Sequence, residues 1–141
     1  MIHLIVASHG PLSASIVKSA SLIAGSSSIA DIKTISITME TSVEEVRQAV
    51  ETILESFDEN DKILALTDIY GGSITRVISE YIGVRKLDVI TGVNLGILLE
   101  AIFMKDTMEY DELVSYLIVN GKNGIRHINT ELESKGGEEI R

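Results

Sequence analysis

The chain has 141 residues, enough to bury one hydrophobic core and too few for two independent domains. Its apolar content of 45% indicates a globular protein, and its net charge of -9, with no basic stripe, argues against a nucleic-acid partner. The sequence lacks the roughly 20-residue apolar run of a membrane span and the basic start of a signal peptide, so we expect a cytoplasmic protein. It has no cysteine, which excludes disulfides and thiolate sites.

Predicted strands and helices alternate from the start of the chain. Ile2–Ala7 is apolar on both faces and rich in β-branched residues, which predicts a buried strand. Leu12–Ala24 has apolar residues at helical spacing, and Lys33–Thr38 favours a second strand. Ser42 and Glu45 have the form of a capping box, which predicts the start of the next helix.

The same alternation continues through the middle of the chain. Lys62–Thr67 predicts a third strand, and residues 74–82 predict a short helix after it. Leu87–Thr91 predicts a fourth strand, which a helical stretch through Met104 follows. A further helix is expected at residues 111–120.

This order of elements predicts an α/β fold. Parallel neighbours need crossover connections of fixed hand, so we expect a four-stranded parallel sheet with helices on both faces. Residues 125–132 alternate enough to predict a C-terminal strand at the sheet edge. We assign residues 1–133 to one domain and residues 134–141, which contain two glycines and two glutamates, to a frayed tail.

Three distinctive loops follow predicted strands one, three and four. In an open parallel sheet, ligands bind beyond the carboxyl ends of the strands, where the strand order reverses. We therefore expect these loops to converge on one site. They are Ser8-His9-Gly10, then Thr67-Asp68 with Gly71-Gly72-Ser73, then Thr91-Gly92-Val93-Asn94.

His9 is the candidate nucleophile of this site. A partly neutral imidazole attacks a phosphoryl group through its free ring nitrogen. Asp68 is the candidate partner, because a carboxylate that binds one ring nitrogen fixes the tautomer and steadies the developing charge. We predict that Nδ1 of His9 faces Asp68 and that Nε2 carries the phosphate.

Gly71, Gly72 and Ser73 form a candidate phosphate cradle. They precede a predicted helix, so their backbone N–H groups and the Ser73 hydroxyl point towards a site that favours anions. Phosphoryl transfer depends mainly on positioning and charge stabilisation, so no metal or cofactor is expected. The loop also lacks the lysine of a Walker-type nucleotide site.

Each of these residues also has a simpler explanation. A histidine after a strand is often solvated or capping, Asp68 can cap a turn, and a Gly-Gly pair can form an ordinary tight turn. Their shared position at strand ends makes a common site a hypothesis. His3 and His127 fit packing or exposure and have no neighbours at metal-ligand spacing, and Arg76 is within reach of a phosphate but also fits simple solvation.

Three segments of the sequence resemble signature segments of the mannose-family IIA domain of the bacterial phosphoenolpyruvate-dependent sugar phosphotransferase system. They are Val6–Gly10, Leu66–Ser73 and Val89–Leu95, in the right order and spacing. The resemblance extends from Met1 to the predicted strand that begins at Ile125.

This resemblance implies a phosphotransferase component that acts as a phosphohistidine carrier. It implies that His9 receives phosphate from the phosphocarrier protein HPr and donates it to a IIB component that serves a membrane sugar permease. It also implies that Asp68 is the partner of His9. A homodimer is implied as well, in which the C-terminal strand crosses to the neighbouring subunit. The sugar is not encoded in this domain.

The sequence departs from the family pattern at three positions. Ile74 and Gly96 stand where the family usually has proline, and Arg76 stands where it usually has asparagine. Proline preorganises the first turn of a helix. The departures therefore predict a looser cradle, with His9 and Asp68 in place.

Two functions of other classes remain open. The altered cradle favours a regulatory or adaptor module that binds a phosphocarrier or a transcriptional activator. The chain also fits the IIA-like subunit of a phosphotransferase-dependent dihydroxyacetone kinase, although the intact Asp68–Ser73 stretch favours the sugar branch. A receiver domain phosphorylated on aspartate is disfavoured, because the first strand does not end in acidic residues that bind magnesium.

Overall fold

A computed structural model describes residues 1–134 as four strands and six α-helices. In chain order these are β1 (Ile2–His9), α1 (Leu12–Ala24), β2 (Lys33–Ile37), α2 (Val43–Glu55), β3 (Lys62–Thr67), α3 (Ser73–Ser79), β4 (Leu87–Ile90), α4 (Leu95–Met104), α5 (Tyr110–Asn123) and α6 (Ile128–Ser134), with a 3-10 helix at Ser26–Ile29. The tail expected at residues 134–141 lies outside the described residues apart from Ser134, which ends α6.

The four strands form one parallel sheet in the order β2-β1-β3-β4. β1 pairs with β2 on one side and with β3 on the other, with Ala7 beside Thr67 at the end of the β1–β3 ladder. The predicted α/β fold with a four-stranded parallel sheet is therefore confirmed. Among residues 1–134, no helix is long and apolar enough to cross a membrane.

Helices cover both faces of the sheet, because the strands are apolar on both sides. In β1, Leu4 and Val6 pack in the cluster formed with α1, α4 and α5, whereas Ile5 and Ala7 pack in the cluster formed with α2 and α3. The hydroxyl of Tyr110, at the start of α5, donates to the buried carbonyl oxygen of Ile63 at 2.8 Å. The continuous apolar runs in the sequence thus mark strands buried on both faces.

The start of α2 has the capping box that its sequence predicts. The Glu45 backbone N–H donates to Ser42 Oγ at 3.1 Å, and the Ser42 backbone N–H donates to Glu45 Oε1 at 3.4 Å. These two bonds satisfy backbone donors that have no partner inside the helix. α3 ends at Ser79, earlier than the predicted Ile82.

The predicted C-terminal edge strand is wrong for the described chain. Residues 125–127 are irregular, and Ile128–Ser134 forms α6, none of whose residues is buried. A strand needs the backbone of a neighbour for its hydrogen bonds, whereas a helix satisfies its own. Ile128 and Leu132 are also four residues apart, so the same apolar pattern fits one face of a helix.

Candidate functional site

The strand order reverses between β1 and β3. The chain leaves β1 for β2 on one side and returns through α2 to β3 on the other side of β1. His9 is the last residue of β1, and Asp68 follows the last residue of β3. Residues 59 positions apart in sequence therefore meet at the point where α/β sheets bind their ligands.

One carboxylate oxygen of Asp68 accepts two hydrogen bonds from His9. Oδ2 lies 2.9 Å from the His9 backbone nitrogen and 2.9 Å from His9 Nδ1. The other oxygen, Oδ1, accepts a hydrogen bond from the Ile69 backbone N–H at 3.0 Å. The carboxylate thus fixes both the backbone and the ring of His9.

Asp68 is held in its ionised form. Its side chain is 7% exposed, and this burial by itself raises the pKa. The hydrogen bonds from the backbone N–H and imidazole of His9, together with the attraction to this ring in its protonated form, outweigh the burial, so the pKa of Asp68 lies below its ordinary value of 3.8. Near neutral pH this group is therefore a hydrogen-bond acceptor.

The Asp68 carboxylate determines which nitrogen of His9 is free. A carboxylate only accepts hydrogen bonds, so Nδ1 of the neutral ring carries the hydrogen and Nε2 holds the available lone pair. The His9 side chain is 48% exposed and borders an open groove of about 520 Å³. The arrangement offers an oriented nucleophilic nitrogen to a bulky reactant.

Gly72 approaches the ring of His9 closely. A Cβ added at Gly72 would lie 3.2 Å from His9 Cε1 and 3.4 Å from the carbonyl oxygen of Ile69. Gly71 adopts a φ of 78°, a left-handed conformation that favours glycine. Gly71 is thus explained by the conformation of the turn, and Gly72 by its close contact with the His9 ring.

The backbone donors of this loop are only partly available. The Gly72 N–H donates to the carbonyl oxygen of Ile69 at 3.2 Å. The backbone N–H groups of Gly71 and Ser73 make no hydrogen bond within residues 1–134, and Ser73 lines the same groove as His9. Of these three backbone donors, those of Gly71 and Ser73 therefore have no competing partner among the described residues.

Two buried hydroxyl groups to which the sequence assigned no role hold the loops in place. Ser8 Oγ accepts a hydrogen bond from the Ser13 backbone N–H at 2.7 Å, which ties the His9 loop to α1. The Thr75 hydroxyl lies 2.8 Å from Thr67 Oγ1 and 3.0 Å from the carbonyl oxygen of Ile69, which ties the Asp68 loop to α3. No local spacing rule pairs these residues, so their role follows from the tertiary structure.

The third predicted loop also follows the carboxyl end of its strand, but it lines a different cleft. The Val93 N–H donates to the carbonyl oxygen of Thr67 at 2.9 Å, and Asn94 Oδ1 caps α4 by accepting from the Ile97 N–H at 2.8 Å. Thr91, Gly92 and Asn94 border a cleft of about 400 Å³ against α5. The structure thus brings His9, Asp68, Gly72 and Ser73 together and leaves the third loop outside their groove.

A second histidine–aspartate pair lies at the opposite, amino-terminal ends of the strands. His3 Nε2 is 2.8 Å from Asp61 Oδ2, and the His3 ring stacks on Phe57 with ring centres 3.9 Å apart. This pair occupies the amino end of the strands, away from the ligand-binding edge. Within residues 1–134, no group of three histidine, aspartate or glutamate side chains has metal-site geometry.

Comparisons with known proteins agree on one family. The family model described as EIIA-man, PTS system fructose IIA component, matches residues 3–118. The PTS system fructose-specific EIIA component of Bacillus subtilis (strain 168) is 22% identical over 134 residues, which cover 94% of this chain and 90% of that protein. The match therefore spans nearly the whole of both chains.

Two solved structures are similar in both fold and sequence. Phosphotransferase system component EIIA from Streptococcus agalactiae has a TM-score of 0.83 and 31% identity, covering 92% of this chain and 99% of that chain. The mannose/sorbose specific IIA subunit from Enterococcus faecalis has a TM-score of 0.80 and 28% identity, covering 89% and 92%. Sequence and fold thus point to the same group of proteins.

Proposed function

Because this chain belongs to the EIIA-man family of phosphotransferase-system IIA components, we propose that it carries a phosphoryl group on His9. The observation that carries this proposal is the hydrogen bond from Nδ1 of His9 to Asp68, which leaves Nε2 free in an open groove. Phosphoryl transfer in general follows from family membership, whereas its assignment to His9 Nε2 is the proposal.

In the proposed step, the lone pair of His9 Nε2 attacks the phosphorus atom of a phosphorylated donor protein. The phosphorus–nitrogen bond to His9 forms while the bond to the donor breaks, and that electron pair leaves with the donor. The Nδ1 hydrogen stays in its hydrogen bond to Asp68, whose negative charge stabilises the ring as it becomes positive. The reverse sequence delivers the group to an acceptor.

The N–H groups of Gly71 and Ser73, with the Ser73 hydroxyl, receive oxygens of the bound phosphoryl group in this proposal. Their support is the absence of competing backbone partners within residues 1–134 and the position of Ser73 in the groove of His9. Gly72 contributes through its close approach to the ring. Because its N–H already donates to Ile69, Gly72 acts mainly by leaving room for the His9 ring next to the loop.

Large exposed apolar side chains surround His9 and suit contact with protein partners. Met39 and Val43 border the groove, and Ile69 and Tyr70 project from the Asp68 loop, Tyr70 with 89% of its surface exposed. Apolar rims of this kind mark interaction surfaces. We assign this rim to HPr as the donor and to a IIB component as the acceptor, both of them in the cytoplasm, with a sugar permease served indirectly.

A homodimer is part of the same proposal. β4 is an outer strand of the sheet with one edge unpaired among residues 1–134. The cleft beside it is lined by Ile118 and Ile125, both exposed in the single chain, and Val119 adds further exposed apolar surface on α5. A second copy that covers this surface would satisfy both the strand edge and the apolar residues.

The direct test is phosphorylation by phosphoenolpyruvate, enzyme I and HPr, followed by intact mass. We expect one acid-labile phosphoryl group on the wild type and none on His9→Ala. His3→Gln is the matched control, because it alters the other histidine–aspartate pair of the described chain, and it should be phosphorylated like the wild type. A wild type that stays unmodified would contradict the carrier function and favour the regulatory or adaptor module.

The acceptor is identified by a second incubation of the phosphorylated protein. Loss of the phosphoryl group to a IIB component supports the sugar branch. Transfer to the ADP-bearing subunit of a dihydroxyacetone kinase, with none to the IIB component, would contradict that branch and assign the chain to the kinase instead.

A further inference from the structure

Arg76 stands out among the arginines of the described chain because its guanidinium binds nothing within residues 1–134. Arg47 pairs with Glu80, Arg85 donates to backbone carbonyl groups and Arg126 pairs with Glu131. Glu80 lies four residues after Arg76 and is the carboxylate that helix geometry would offer it. Arg47 holds both oxygens of Glu80 instead, at 2.8 and 2.9 Å, so Arg76 is left without this partner.

The position of Arg76 on α3 directs it towards His9. Arg76 lies one turn after Gly72, about 40° around the helix axis, and its backbone N–H donates to the carbonyl oxygen of Gly72 at 3.0 Å. Helical side chains lean towards the amino end of the helix. Gly72 is the position whose added Cβ would lie 3.2 Å from His9 Cε1, so the exposed Arg76 begins one helical turn beyond the position that touches the ring.

A neighbouring position on α3 supports this direction. Ser73 lies three residues before Arg76, next to it on the helix surface, and lines the groove that contains His9. The distance to cover is four residues, about 6 Å along the axis, which is within the length of an extended arginine side chain. Arg76 therefore lies outside the lining of the groove but within reach of it.

A phosphoryl group on His9 adds negative charge that no basic residue of the described groove lining compensates. The group brings about two negative charges close to the ionised Asp68, which lies 2.9 Å from Nδ1 of the same ring. None of the described residues that line the groove is lysine or arginine. α3 has only seven residues, so its dipole is short.

We propose that Arg76 binds the phosphoryl group on Nε2 of His9 and balances its charge during transfer. This inference rests on the proposed carrier function. The phosphorus–nitrogen bond to His9 forms as the bond to the donor breaks, and the electron pair of that bond leaves with the donor. Arg76 gives up no proton and makes no covalent bond. It donates guanidinium hydrogen bonds to the phosphoryl oxygens, a geometry that suits arginine better than lysine.

The test compares wild type with Arg76→Ala, Arg76→Lys and the charge-matched control Lys18→Ala, which removes an exposed cation on α1. With HPr as donor, we expect the rate of His9 phosphorylation to fall about 10-fold or more in Arg76→Ala, partly recover in Arg76→Lys and stay unchanged in Lys18→Ala. Circular dichroism checks that each variant is folded.

A phosphorus NMR titration separates phosphoryl binding from docking. Loss of the bound guanidinium destabilises the dianionic phosphoryl group. The pKa of the equilibrium between its dianion and its monoanion should therefore be higher in Arg76→Ala. A slower rate with an unchanged titration would overturn phosphoryl binding and assign Arg76 to partner docking. Equal rates and titrations would overturn the inference while leaving the carrier function intact, whereas an unphosphorylated wild type would remove both.

Discussion

At the scale of single residues, the site depends on the oxygens of Asp68. Oδ2 accepts from both the backbone and the ring of His9, and Oδ1 accepts from Ile69. The three bonds orient the imidazole and hold the loop after β3 against the end of β1. The same contact therefore stabilises the fold and selects the nucleophilic nitrogen.

This contact predicts a pH-dependent stability. Because the folded pKa of Asp68 lies below 3.8, ionised Asp68 stabilises the folded state fully above that value, and the contribution disappears as the pH falls through the lower folded pKa. Urea unfolding of wild type and Asp68→Asn from pH 7 to pH 3 should show a stability difference that is constant near neutrality and shrinks in acid.

The His9→Ala background refines this measurement. It removes the imidazole hydrogen bond and retains the backbone N–H donor, so the loss of stability caused by Asp68→Asn in this background should be smaller and still present. A stability difference that grows as the pH falls would contradict the sign of the pKa shift.

At the scale of elements, α3 brings its amino end against the end of β1. Thr75 fixes the Asp68 loop to the helix through a buried hydroxyl, and Gly72 allows the helix start to touch the His9 ring. Ile74, which stands in place of the family proline, is fully buried. The first turn of α3 is thus held by packing and by the Thr75 hydrogen bonds.

Gly72→Ala should disturb the site more than the fold. Its φ of -68° suits alanine, but the added Cβ would press on His9 Cε1 at 3.2 Å and force the ring to move. We expect the rate of His9 phosphorylation to fall by about 10- to 100-fold, measured with HPr as donor. Gly124→Ala is the control, since its Cβ meets only an ordinary 3.4 Å contact, and an equal loss in both variants would contradict a specific effect on His9.

At the scale of the whole molecule, the unpaired edge of β4 is where we propose that a second copy binds. β4 has a cleft and exposed apolar residues of α5 beside its open edge. The segment after α5 buries none of its apolar side chains, and Ile125 is 83% exposed. This surface is the part of the described chain that a second copy would cover.

The proposed dimer predicts that thermal stability depends on protein concentration. Association stabilises the folded state by mass action, so Tm should rise with concentration for the wild type. Ile125→Lys places a charge in the apolar cleft and should abolish this dependence, while Leu22→Lys, at an exposed apolar position on α1, should keep it. Light scattering that gives a monomer for the wild type at all concentrations would contradict the dimer.

Much of the fold could be predicted from the sequence because its signals are local. The apolar runs of β1 and β3, the helical spacing of α1 and the Ser42–Glu45 capping box depend on residues a few positions apart. The contact between His9 and Asp68 was also predictable, because strand ends of a parallel sheet meet at one edge. The segments that resemble the IIA family are these same strand ends, and the family match confirms the resemblance.

Other features were decided only by the tertiary structure. Ser8 and Thr75 act through contacts that depend on how α1 and α3 pack, and the third loop faces α5 because β4 is separated from β1 by β3. The segment after α5 fits either a strand or a helix by its apolar spacing, and it forms a helix that pairs with no strand of the described chain. The sequence alone thus determined the four strands, helices α1 to α5 and the pairing of His9 with Asp68, while the order and packing of the elements decided the form of the C-terminal segment and which further side chains reach the site.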